Sequence, residues 1–379
     1  MIEICSKNEC TGCSACYNAC GHSAILMKPD ECGYIYPFID NNKCVECGVC
    51  KKVCPVNNPR QLLYPISCFA ATVNSENELL SCASGGVATI LGESIIKLGG
   101  VVYGCDGSNI RNVHHSRKLT IESLNKLKGS KYVQSNIGDI YKLLKKDVIS
   151  GKPVLFIGTP CQVAGLGNYL HSEKYPNLYT VDLVCHGVPS QKMLNDNINN
   201  YTNEENISVS FRKKNVNGKI KYGWYLRSEK NKIKSAVNIS YRKDPYLLGF
   251  LSCLTIRENC TRCRYACIAR CSDITLSDFW GLSDTSKFEK GKGVSNVLVN
   301  TEKGMQLWNN SREVAKWEER TIVEALSGNG QLQTPSAKNG MHDQFVKLYP
   351  IIGFKNAVKR CSYKYLIKDY IKTLISRFF

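Results

Sequence analysis

The chain has 379 residues, 43% apolar and 22% charged, which excludes a disordered or fibrous protein and suits two or three folded domains. Its 50 Lys+Arg against 32 Asp+Glu give a formal charge of +18, which serves solubility or attracts acidic partners: nucleic acid, an anionic membrane, an acidic redox protein or a phosphate-bearing cofactor. Cysteines number 21, yet Met1-Ile2-Glu3-Ile4-Cys5 lacks the basic and apolar parts of an export signal, and no apolar run is long enough to cross a membrane. The expectation is a cytoplasmic protein whose clustered thiols serve metal or redox chemistry rather than disulfides.

Residues 1–55 hold ten of the cysteines. Residues 56–66, punctuated by Asn and Pro, read as a linker. Beyond them the spacing predicts a strand over Ile66–Val73, a helix over Ser84–Leu98 that stops at Gly99-Gly100, and a short strand over Val101–Tyr103. His114-His115 lies in a strand-like stretch and reads as surface. A helix is expected over Ile137–Ile149, strands over Val154–Ile157 and Leu178–Val184, and a helix over Gln191–Tyr201. That alternation argues for βαβ units around a parallel or mixed sheet. Residues 207–241, with Phe211, Tyr222, Trp224 and Leu226 among polar neighbours, read as antiparallel strands. At the far end Leu366, Ile367, Tyr370, Ile371, Leu374, Ile375, Phe378 and Phe379 share one helical face, with Lys364, Lys368, Lys372 and Arg377 off it. Such a helix packs on its own domain or makes weak contact with a membrane surface or partner. The expected organisation is an α+β dicluster ferredoxin domain (1–58), a linker (59–66), an α/β domain with a mixed sheet (67–335) and a helical segment (336–379).

The strongest signal is duplicated. Cys10, Cys13, Cys16 and Cys20 follow C-x2-C-x2-C-x3-C; Cys44, Cys47, Cys50 and Cys54 repeat it, with Pro55 next and Gly21 in the matching place of the first run. Two-residue gaps let three thiolates of one loop reach one [4Fe–4S] core, while the fourth serves the other cluster. Cluster one is therefore assigned to Cys10, Cys13, Cys16 and Cys54, and cluster two to Cys44, Cys47, Cys50 and Cys20. Zinc is the plain alternative, but its sites come as paired C-x2-C hairpins. Over residues 1–58 the chain resembles bacterial dicluster ferredoxins.

Cys260, Cys263, Cys267 and Cys271 form a third group that could hold a metal locally. Cys161 and Cys185 stand alone at the ends of expected strands, where ligands bind in α/β sheets; each could equally be a small core residue. The stretches Ser84-Gly85-Gly86-Val87-Ala88, Lys128-Gly129-Ser130-Lys131-Tyr132, Gly158-Thr159-Pro160-Cys161-Gln162, Cys185-His186-Gly187-Val188, Cys260-x2-Cys263 and Ser272-Asp273-Ile274-Thr275-x2-Asp278-Phe279-Trp280-Gly281 resemble the beta subunit of coenzyme F420 hydrogenases and dehydrogenases, in the version fused to a dicluster ferredoxin. The resemblance implies FAD and a third [4Fe–4S] cluster, the latter on Cys161, Cys185, Cys260 and Cys263.

With it, flavin contacts are expected from Ser84, Gly85, Gly86, Gly129, Ser130, Lys131, Tyr132, Thr159 and Asp278, and His186, beside the cluster candidate Cys185, is read as a proton donor near the flavin. Each has a structural reading too: a tight turn, a solvated charge, a helix cap, a satisfied histidine. No G-x-G-x-x-G follows a strand, so an ordinary dinucleotide-binding unit is not expected. The functional expectation is an FAD-dependent iron–sulfur oxidoreductase fed by an acidic carrier such as ferredoxin or flavodoxin, acting on an unidentified small molecule. Two alternatives stand beside it. One is a deazaflavin oxidoreductase subunit of a larger redox complex; the other is an electron-transfer protein without a substrate. No nucleic-acid readout motif is present.

Overall fold

The computed structural model describes residues 3–215, 219–230, 233–289 and 291–363. Residues 354–363 are helical; the apolar face expected over residues 366–379 lies outside the described residues.

The N-terminal region holds two one-turn helices, α1 (Ala15–Ala19) and α2 (Val49–Lys52), around a hairpin of β1 (Ile25–Pro29) and β2 (Ile35–Ile39). Next come β3 (Ser67–Val73), α3 (Glu76–Ser81), α4 (Val87–Lys97), β4 (Val101–Asp106) and β5 (His114–Lys118). They are followed by α5 (Ile140–Ile149), β6 (Val154–Gly158), α6 (Pro160–Leu170), β7 (Leu178–Leu183) and α7 (Gln191–Asn199). Strands β8 (Ile207–Lys214), β9 (Ile220–Lys230) and β10 (Ile233–Ser240) make the expected antiparallel sheet. The chain continues through α8 (Pro245–Leu251), β11 (Ile274–Asp278), β12 (Ser295–Val299), α9 (Glu302–Ser311), β13 (Ala315–Arg320), α10 (Ile322–Ser327) and α11 (His342–Ile352).

The main sheet has eight strands in the order β13-β3-β12-β11-β7-β6-β4-β5. It is mixed: β4, β6, β7 and β11 pair in parallel, and the flanking pairings are antiparallel. Its central strands are apolar without alternation because both faces are covered. One face packs α4 and α9 through Val87, Ile90, Leu91, Ile95, Leu307 and Trp308. Each such side chain stabilises the fold by about 1.5–3 kcal/mol relative to exposure. Helix α4 ends where Gly99 turns left-handed (φ 73°) and Gly100 N–H bonds Ile95 O at 2.9 Å.

The other face packs α5 and α6, and the same core includes Cys13, Ala15 and Val53 of the N-terminal region. That region is thus docked on the sheet, not loosely tethered. Within the expected linker, Leu63 and Arg270 exchange backbone hydrogen bonds of 2.7 and 2.8 Å. Helix α6 has no counterpart in the sequence reading. Pro160 occupies its first turn, where the missing N–H costs nothing.

His115 departs from expectation. It lies on the core side of β5, buried, with Nδ1 2.7 Å from Ser135 Oγ and Nε2 3.1 Å from the Ile157 carbonyl. Only its neighbour His114 is partly exposed, because successive strand residues face opposite ways. A carbonyl can only accept, so Nε2 carries the proton. Burial pushes His115 down to about 4. The unfolded chain therefore binds a proton below about pH 6.5 that the folded chain refuses, and this contribution is lost as pH falls from 6.5 toward 4. His115→Gln should weaken the fall in thermal midpoint between pH 7 and pH 5; an identical fall in both proteins refutes this account.

Candidate redox site

The two cysteine loops have the same backbone geometry. Left-handed residues flank the second cysteine of each: Gly12 (φ 68°) and Ser14 (φ 63°) around Cys13, Glu46 (φ 53°) and Gly48 (φ 73°) around Cys47. Alternation of right- and left-handed residues forms a concave nest of N–H groups suited to an anionic cluster. Two of the four positions lack glycine, a strain of about 1–3 kcal/mol each. Cys10, Cys13, Cys16 and Cys54 line one cavity, as the spacing required. Cys50 lies near Cys44 and Cys47 and shares a packed cluster with Cys20.

Zinc fits these thiols poorly. Four sulfurs about 2.3 Å from one ion stand about 3.8 Å from each other. Among the described residues no three cysteines bring their sulfurs within 4.8 Å of one another, as a zinc site would require.

The third set assembles at the carboxyl ends of parallel strands. Cys161 lies in the first turn of α6, just after β6; Cys185 follows β7. Cys260 and Cys263 come from the short helical turn Glu258–Arg262 and its end. The four thiols sense one another. Burial pushes Cys161 up to about 12, and charge on Cys263 and Cys185 adds to the shift. Burial likewise raises Cys260, with further contributions from Cys185, Cys161 and Cys263. Cys267 and Cys271 lie close by: on top of burial, charge on Cys267 raises Cys263 and charge on Cys161 raises Cys271, but each thiol also meets a backbone carbonyl. The Cys267 thiol donates to the Ala269 carbonyl at 3.2 Å, and Cys271 to Pro160 O at 3.8 Å.

Helix α6 joins the sites. Its first turn carries Cys161, and a Cβ on Gly165 one turn later would lie 2.8 Å from Cys13 Sγ. Glycine there lets the first loop close on the helix. At the far side of the N-terminal region Cys47 is exposed, beside exposed Val45 and Val49 and the cations Lys43, Lys51 and Lys52.

The residues expected around a flavin divide into two groups. Tyr132, Asp278 and Ser84 gather around Arg212 and Lys214 of β8. Arg212 pairs with Asp278 at 2.8 Å, Tyr132 stacks on Phe250 at 4.7 Å, and Lys214 Nζ donates to Ser84 O at 2.7 Å. Ser130 interacts with the Tyr132 side chain. Arg212 Nε and Asp278 Oδ1 are buried without hydrogen-bond partners, and Trp280 is 45% exposed two residues on. A water or the polar edge of a planar heterocycle would satisfy this donor and acceptor beside the aromatic rings.

The others are engaged elsewhere. Lys131 folds back onto the Leu127 and Lys128 carbonyls, and burial lowers its pKa. Thr159 caps α6 through Gln162. Gly129 is left-handed (φ 81°) with open space around it. Gly85 is required by packing, since a Cβ would sit 2.2 Å from Ala71 O, and Gly86 is left-handed at φ 85°. Both ring nitrogens of His186 have neighbours: Nε2 near Phe250 O (3.2 Å) and Cys253 Sγ (3.4 Å), Nδ1 near Ser336 Oγ (3.3 Å) and Gln331 Nε2 (3.4 Å). Burial depresses its pKa.

Sequence reasoning missed Arg212, Lys214, Cys5 and the Cys253–His186 contact. Cys5 lines the first cluster cavity, and hydrogen bonding to it lowers the pKa of Cys10 and Cys54. No spacing rule marks a cysteine five residues before a run. Cys253 adopts φ 58°, a strained value that only the structure shows.

Comparison with known proteins decides the family. A 4Fe-4S dicluster domain matches residues 9–58, and the C terminus of the coenzyme F420 hydrogenase/dehydrogenase beta subunit matches residues 151–325. The chain joins these two family regions. An uncharacterised protein of Methanocaldococcus jannaschii is 26% identical over 204 residues, 45% of this chain and 55% of that relative, so the chain spans about half its length. An uncharacterised ferredoxin of the same organism is 33% identical over 54 residues, 14% of this chain and 69% of that one. A chain of the F420-reducing [NiFe] hydrogenase complex of Methanosarcina barkeri aligns with TM-score 0.45 and 18% identity, over 80% of this chain and 92% of that one. No helix among the described residues is long and apolar enough to cross a membrane.

Proposed function

We propose that the chain is an iron–sulfur flavoprotein oxidoreductase that takes electrons from an acidic carrier such as ferredoxin and passes them inward to a substrate. The carrying observation is spatial. Four partly buried cysteines, Cys161, Cys185, Cys260 and Cys263, come from loops gathered at the carboxyl end of the parallel strands, beside the first ferredoxin loop. When bound, [4Fe–4S] clusters supply one-electron transfer and FAD converts it to hydride transfer. The protein holds the thiolates and presents Arg212, Asp278 and Tyr132 to a planar ring. Exposed Cys47, with lysines and apolar side chains around it, marks the entry side for an acidic partner.

Anaerobically purified protein should contain about twelve irons and one flavin per chain, counting four irons per cluster. About eight irons without flavin would reduce the chain to an electron carrier. The family match at residues 151–325 favours a second reading, in which coenzyme F420 is the substrate within a larger complex. A spectral change on mixing reduced protein with the deazaflavin distinguishes it.

A further inference from the structure

We propose that Arg257 is a positive charge shared by the Cys10/Cys13/Cys16/Cys54 cluster and the Cys161/Cys185/Cys260/Cys263 cluster, raising the reduction potential of both. The proposal rests on the three-cluster reading above.

Arg257 is completely buried. Its guanidinium donates to Cys10 O (2.8 Å), Ile35 O (3.0 Å) and Gln134 Oε1 (3.2 Å), all neutral, and lies 4.1 Å from the Tyr36 ring centre. No described carboxylate oxygen lies within 4.0 Å of it. Other arginines with little exposure differ: buried Arg270 pairs with Asp182, and partly buried Arg212 with Asp278. A buried cation without a counter-charge is costly, and folds rarely keep one. The negative charge must come from what the neighbouring thiols hold.

The geometry indicates which thiols. The Arg257 backbone belongs to the third loop, accepting from Cys260 N at 2.9 Å and donating to Val188 O at 3.0 Å. Its side chain crosses to the first loop and touches the Cys10 carbonyl. Nη1 would lie 3.1 Å from a Cβ on Gly12, so it sits against the nest that faces the first cluster. A [4Fe–4S] core with four thiolates is anionic and gains negative charge on reduction, so a fixed nearby cation favours the reduced form. Placed between two clusters, it acts on both steps of the same wire. Arg257 is therefore a positioning and tuning residue, not a catalytic one.

The test is a potentiometric titration followed by electron paramagnetic resonance on anaerobic holoprotein, with iron counted. Arg257→Gln should lower two cluster midpoints and leave that of the outer cluster (Cys20, Cys44, Cys47, Cys50) in place. Arg257→Lys, which keeps the charge, should hold both close to the unmodified values. Unmoved midpoints in the Gln variant at full iron overturn the proposal, as does an equal drop in the Lys variant. If the Gln variant loses iron, selective loss from the two inner sites with retention in the Lys variant supports it; equal loss in both variants overturns it. Failure of the three-cluster reading shows separately, as about eight irons in the unmodified chain. The Cys10 site would then be tested alone, and an unmoved midpoint there would still reject Arg257.

Discussion

Cys161→Ser is expected to lower iron from about twelve to about eight per chain and to interrupt electron delivery to the flavin. Cys267→Ser should leave iron unchanged. The contrast follows from where each thiol points. Cys161 is partly buried at the start of α6, within charge reach of Cys185, Cys260 and Cys263. Cys267 instead turns toward the Arg264 and Ala269 backbone carbonyls of its own loop. A serine at 161 keeps the volume but is a poorer iron ligand, and the remaining three thiolates would not retain the core. The two ferredoxin clusters, held by other loops, should keep their spectra and still accept electrons from a carrier. Full iron in Cys161→Ser, or loss of iron in Cys267→Ser, would shift the third site to the local Cys260/Cys263/Cys267/Cys271 run.

The legible parts of this site were those fixed by local spacing. A C-x2-C-x2-C-x3-C run determines which thiols one loop can offer, and its duplication marks two clusters before any tertiary contact is known. Strands β3, β4, β6 and β7 were readable because helices cover both faces and leave unbroken apolar runs. What stayed hidden depends on distant contacts. Nothing near residue 257 in the sequence says that its side chain reaches the Cys10 loop. Nothing near residue 212 says that an antiparallel strand brings an arginine to Asp278. His115 shows the same limit: a histidine pair in a strand carries no sign of which member faces the core. The glycine at 85 shows the opposite error. It resembles a phosphate-contact glycine, yet the closeness of Ala71 O already demands it.

Asp182→Asn is expected to cost about 3–5 kcal/mol of stability, although asparagine has nearly the same shape. Arg270 and Asp182 are 1% and 0% exposed, with Nη2 and Oδ1 3.1 Å apart. Desolvation alone would lower the Arg270 pKa, but the Asp182 charge outweighs it and the net shift is upward. Removing that charge leaves a guanidinium buried among the carbonyls of Tyr265, Cys267 and Leu183, which satisfy its N–H groups but not its charge. The pair also fastens three pieces of chain: β7, the 263–271 loop, and Leu63 through the Arg270 backbone. The loss should therefore appear as one cooperative drop in urea midpoint, not as local loosening. Asp182→Asn with Arg270→Gln should cost less than the single Asn change, because no unpaired charge remains. The coupling is about 2 kcal/mol or more if the site is as dry as its burial indicates. A single-variant cost below about 1 kcal/mol would place the pair in the class of solvated ion pairs and contradict that burial.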